Sequence, residues 1–165
     1  VMGSLLFKQK MGYIDIHVFT DPIELGDWRI STFPVHEEYV SAFLFEEING
    51  PRRVLICMDE LFGWTPPAHV KGVDLLVLPK GLDDQHPFTG ERIIPLEHPV
   101  LQSEATFAQT LDIVAEINPA RTIFMHLEEV DPLSPPEYEE LAAMLERDRG
   151  WNVTFAWDGL VVELP

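Results

Sequence analysis

Apolar and polar residues alternate along the first third of the chain, then merge into continuous apolar runs. Tyr39, Ser41, Phe43 and Phe45 fall on one side of a strand period, and Val40, Ala42 and Leu44 on the other. An alternating run to Val35 precedes them, after a turn at Gly26-Asp27, and Asn49-Gly50 marks a hairpin turn behind them. Val54 to Met58 and Val73 to Leu78 are apolar at nearly every position, which predicts strands covered on both faces. Between Gly81 and Gln102 the pattern is irregular and polar, and its length marks a functional loop. A helical period follows. Ser103 is placed to cap a helix with the stripe Phe107, Leu111, Val114 and Ala115, stopped by Asn118-Pro119. Arg121 to Met125 reads as another buried strand. In "SPPE", Ser134 stands at the cap, Pro135 at the first helical position and Glu137 at the third, a capping box. Tyr138, Leu141, Ala142 and Leu145 face inward until Gly150 ends that helix. The last stretch, from Asn152, reads as a hairpin turned at Asp158-Gly159. Antiparallel strands, then strand–helix alternation, predict an α/β protein of the α+β type: a mixed sheet with helices on one face.

The 165 residues suit a single domain, 1–165, with room for a sizeable core, and 46% hydrophobic residues exclude a disordered chain. No apolar run reaches the length of a membrane span, and "VMGSLLFKQKMGY" lacks the apolar length and cleavage site of a signal peptide. The one cysteine, Cys57, lies in an apolar run and reads as a small core residue. That fits a reducing, cytoplasmic setting. A net charge of −17 repels phosphate backbones, and no stripe of Lys and Arg offsets it. Long nucleic acid is thereby excluded as a partner, and so is a membrane; a small-molecule substrate remains.

Three residues of metal-ligand type each end an apolar strand. His36 follows "STFPV", Asp59 follows "VLICM", and His126 follows "RTIFM". Strand ends are where layered α/β folds gather ligands. Two imidazoles and a carboxylate suit a divalent ion of the zinc class. Taken singly, each reads as a hydrogen-bonded surface or turn residue; their coincidence carries the metal reading. His98, in "LEHPVLQ", is either a proton donor near such a site or a plain loop histidine. His17, His69 and His86 have no supporting context; His17 reads as part of a solvated strand face and His86 as a loop residue.

Together "STFPVHEEYVSAFLFEE", "RRVLICMDE", "EHPVLQSEATFAQTLDIVAEINPARTIFMHLEEVD" and "VTFAWDGLVVEL" resemble the C-terminal half of a metallo-β-lactamase-fold hydrolase of the phosphodiesterase-like branch. That resemblance implies a partial αββα sandwich and, in the complete enzyme, two divalent ions, zinc above all, that activate a water against a small phosphodiester or related ester. It implies His36 on one ion, His126 on the other, and Asp59 bridging them, with His98 as donor to the leaving group. Glu128 or Asp131 would accept the second N–H of His126 or shape the loop that admits substrate, although each taken alone reads as a residue of a solvated loop. The chain departs from the family in two ways. The H-x-H-x-D-H motif and the first strands of the sandwich are absent, and the "HPTH" pattern reads "HPVL", with Leu101 at its second histidine. The chain, which begins at Val1, is therefore expected to be the C-terminal portion of a longer enzyme, with little activity and weak metal binding of its own. A second reading stands beside it: a non-catalytic binding or assembly module, a homo-oligomer that covers the apolar face of half a sandwich. A plain α/β domain with fortuitous histidines is the third.

Overall fold

The structure is a computed structural model that describes residues 2–15, 21–36, 40–127 and 132–164. The elements in chain order are α1 (Met2–Lys10), β1 (Ile23–Leu25), β2 (Trp28–His36), β3 (Val40–Glu47), β4 (Arg53–Cys57), β5 (Leu75–Pro79), α2 (Phe107–Ile117), β6 (Thr122–Met125), α3 (Pro135–Arg149) and β7 (Val153–Phe155). All seven strands share one sheet, ordered β1 to β7 as in the sequence. The first four pair antiparallel and β4 to β7 pair parallel, so the sheet is mixed, as expected. The alternation in β3 appears as alternating burial, with Val40, Ala42 and Leu44 inside.

The two faces of the sheet are covered differently. Leu55 and Cys57 of β4, Leu76 and Leu78 of β5, and Phe124 of β6 pack under α2 and α3 with Val114, Ile117, Leu141 and Leu145. Phe124 stacks on Phe155 at 5.3 Å and meets Phe107 edge-on at 5.5 Å, aromatic contacts that add geometry to the burial. The opposite face carries Val54, Leu75 and Ile123, against which Leu160, Val162 and Leu164 pack. The continuous apolar runs of β4 and β5 are explained by this double cover.

Three expectations change. The cap of α2 is Thr106, not Ser103: Gln109 N–H donates to the Thr106 hydroxyl, and Thr106 N–H to the Gln109 side chain. Ser103 instead closes a 3-10 turn, Pro99–Gln102, and has no Glu or Gln three residues on to reciprocate. The inward stripe of α2 is Phe107, Thr110, Ile113, Val114 and Ile117, while Ala115 is exposed. The closing hairpin does not form. The chain turns after Trp157, with Leu160 N–H donating to its carbonyl at 3.0 Å. The alternating Leu160, Val162 and Leu164 then pack, partly buried, on the sheet's second face. The capping box at Ser134 and Glu137 and the left-handed stop at Gly150 are as predicted.

Cys57 is 1% exposed, and burial pushes its thiol up to about 12. Native protein at pH 8 should therefore leave an aromatic disulfide reagent unreacted until it is unfolded. The folded state holds the thiol proton above pH 9.0, where the unfolded chain releases it, so this contribution to stability declines as pH rises through that window. Relative to Cys57→Ala, the parent should lose about 2 kcal/mol between pH 8 and pH 10.5, read from denaturant midpoints. Parallel pH profiles for the two proteins would reject this.

Candidate functional site

Strand direction sets the site. β3 runs against both β2 and β4, so β2 and β4 run the same way, and β5, β6 and β7 follow β4. The C-terminal ends of β2, β4, β5, β6 and β7 therefore share one edge of the sheet. His36 is the last residue of β2, Asp59 lies two residues past β4, Lys80 directly follows β5, and His126 directly follows β6. The topology thus brings the three sequence-predicted metal residues to one edge. Among the described residues no three His, Cys, Asp or Glu side chains gather closely enough to hold a metal ion. Glu128 and Asp131 lie outside the described residues, as does His17.

Local backbone singles out two of these ends. The ladder between β2 and β3 shifts register between Pro34 and His36, a bulge that re-aims the strand end. His126 has a φ of 58°, the left-handed region that a non-glycine residue enters at a cost. Its ring is exposed. Asp59 is exposed too, and its Oδ1 accepts the Glu60 N–H at 2.9 Å. The Glu60 carboxylate then accepts the N–H of Phe62 and that of Ala105, at 2.8 Å, so the turn carrying Asp59 is tied to the approach of α2.

The long excursion after β5 is pinned at its base. Leu82 N–H donates to Ala105 C=O and Phe107 N–H to Leu82 C=O, 2.9 and 2.8 Å. Gly81, at φ 83°, passes so close that an added Cβ would lie 2.7 Å from the Ala105 carbonyl oxygen. Beneath it the Lys80 ammonium, fully buried, donates to Asp83 at 2.5 Å. His98 sits on the excursion as N-cap of the 3-10 turn, its Nδ1 accepting from Val100 N–H at 3.3 Å. That commits Nδ1 as acceptor and leaves Nε2 as the nitrogen that bears the neutral ring's proton. The structure does not bring His98 into a described contact with Asp59 or His126. His69 packs edge-on against Phe33 at 5.2 Å, and His86 Nδ1 accepts from Phe88 N–H, local roles that match their plain reading. The buried Lys80–Asp83 pair is the feature of this edge that sequence reasoning missed. A lysine directly after an apolar strand, with an aspartate three residues on, was the available signal.

A mixed sheet with helices on one face and ligand-type residues at the C-terminal ends of its strands defines a layered α/β architecture. Comparison with solved structures identifies it as the metallo-β-lactamase fold. The chain is similar to the metallo-β-lactamase fold protein YhfI from Bacillus subtilis, at 15% identity and a TM-score of 0.61, over 94% of this chain and 60% of that one. It is also similar to a diphosphatase from the PhnP family, at 20% identity and a TM-score of 0.58, over 95% of this chain and 53% of that one. The chain thus spans little more than half the length of these neighbours. No protein-family model matches it, and no curated protein does. Among the described residues no helix is long and apolar enough to cross a membrane.

Proposed function

We propose that this chain is part of a metal-dependent hydrolase acting on a small phosphodiester or related ester. The observation that carries the reading is that His36, Asp59 and His126 close or follow strands whose C-terminal ends share one edge of the sheet. The donor set fits one share of a divalent centre: two borderline nitrogen donors and a charge-balancing carboxylate, with zinc the ion they suit best. Three groups are too few for two ions, so further ligands must come from outside this chain. Such ions, when bound, supply a water of lowered pKa and offset charge on the reacting phosphoryl oxygens. This chain's own residues then have separate tasks. His36 and His126 would hold the ions, Asp59, whose strand lies between theirs in the sheet order, would supply a charge-balancing carboxylate, and His98 would give a proton to the leaving oxygen. The net charge of −17 favours a small substrate over a folded RNA.

The half-buried second face supports a second reading, an assembly module. Trp28, Phe45, Ile56 and Val77 are only partly covered there, so a partner sheet or a second copy would bury apolar area. One experiment separates the two. The coding DNA upstream of Val1 is sequenced, and the chain is dialysed and assayed for metal and for bis(p-nitrophenyl) phosphate hydrolysis. The hydrolase reading expects an in-frame H-x-H-x-D-H upstream, less than one tightly bound ion per isolated chain, and hydrolysis only by the longer protein. A start codon at Met2 with no such motif before it would hand the lead to the module. A stoichiometric pair of ions surviving dialysis on the isolated chain would overturn the shared-centre assignment.

A further inference from the structure

The edge strand and the last helix leave a groove that the strand-end residues do not use. It lies between α3 and β7, encloses about 680 Å³, and is floored by Leu133, Ala142, Val153 and Phe155. Among the described residues β7 pairs with β6 alone and ends the sheet. Thr122 N–H donates to Asn152 C=O, and Ala156 N–H to Phe124 C=O, so residues 152, 154 and 156 turn their peptide groups toward β6. The parity of a parallel ladder turns the peptide groups of Val153 and Phe155 outward, along the groove. Glu139 and Glu146 line the same groove from α3. Both are exposed, and among the described residues neither is in an ion pair. Seven helical residues set them about 10 Å apart, a span of about three strand residues. Trp157, 65% exposed, also lines the groove, as does Leu127.

We infer that this groove binds an extended peptide segment of mixed basic and apolar character, added as a strand to β7. Its main chain pairs with the outward groups of Val153 and Phe155, and alternate apolar side chains meet the floor. Its Lys or Arg side chains meet Glu139 and Glu146, with Trp157 offering a face to a cation. Charge complementarity selects this occupant. A second copy of a chain with net charge −17 is repelled from an acidic groove, as is an acidic peptide. An apolar small molecule would fill the floor yet leave the edge peptide groups unused.

The test is calorimetric titration of the full chain with the capped hexapeptide Lys-Thr-Val-Thr-Lys-Val. Saturable binding is expected, weakened at least about tenfold by the double variant Glu139→Lys/Glu146→Lys. The same peptide with Glu in place of Lys should prefer that variant. Val153→Pro removes an outward N–H at an edge position where proline is tolerated, and should weaken binding too. Melting curves check that each variant stays folded. Three results would overturn the inference: no saturation at millimolar peptide, undiminished binding of a backbone N-methylated peptide, or equal binding of the acidic peptide to the parent. Concentration-dependent dimerisation lost on Val153→Pro would also overturn it, by assigning the groove to a second copy.

Discussion

Lys80→Ala is expected to destabilise the protein by about 3–5 kcal/mol, seen as a fall of roughly 10 °C or more in Tm. Lys80 has 0% exposure and its partner Asp83 5%, with 2.5 Å between ammonium and carboxylate. The ammonium also lies 5.4 Å from the Phe107 ring centre and 5.8 Å from that of Tyr138. Truncation removes all of these contacts at once. It leaves the Asp83 charge in a region that excludes water and opens a cavity under α2. Much of the loss is therefore the cost of a buried carboxylate deprived of the Lys80 ammonium and not the net worth of the pair. The double variant Lys80→Met/Asp83→Leu removes both charges and keeps the volume, so it should recover most of that loss. Calorimetric melting of Lys80→Met, Asp83→Leu and the double closes the cycle. A double variant no better than Lys80→Ala would reject the account by buried charge. Because Lys80 and Gly81 anchor the base of the excursion that carries His98, Lys80→Ala should also loosen that excursion in hydrogen exchange.

The second large effect concerns the strand ends. In a longer protein that hydrolyses a phosphodiester, Asp59→Asn and His126→Gly should each lower kcat/KM on the order of 10³-fold, about 4 kcal/mol of transition-state stabilisation. The two differ in stability. Asp59 is exposed, and asparagine keeps an oxygen for the Glu60 N–H, so that variant should melt like the parent. His126 holds φ 58°, which glycine adopts without penalty. His126→Gly should therefore stabilise the metal-free fold by up to about 1 kcal/mol while activity collapses. A variant that loses stability and activity together would mark His126 as a packing residue. Melting in chelator beside steady-state rates separates these outcomes.

Several elements were legible because their causes are local. The two-residue alternation of β3, the Asn49-Gly50 turn and the Ser134–Glu137 box each depend on neighbours within a few positions, and each is present. The cap of α2 was misplaced at Ser103 although its true signal, Thr106 followed by Gln109, was in view. A pair of candidate caps three residues apart is decided by which one has a reciprocating side chain. The closing hairpin failed for another reason. A turn at Asp158-Gly159 is a local preference, whereas the destination of Leu160, Val162 and Leu164 depends on which apolar surface lies within reach.

The sequence by itself determined the element types from β2 to α3, the mixed character of the sheet, and that His36, Asp59 and His126 each close an apolar strand, since period and punctuation are properties of consecutive residues. Only the tertiary structure decided that these closures share one edge, because that follows from strand order and direction across contacts distant in sequence. It alone decided that the polar Lys80 and Asp83 are interior. Composition marks them as surface residues, and only a partner brought within 2.5 Å in a water-free region makes their burial tolerable. The open edge of β7 is likewise a tertiary fact: an unpaired strand is defined by the neighbour it lacks, which no local pattern encodes.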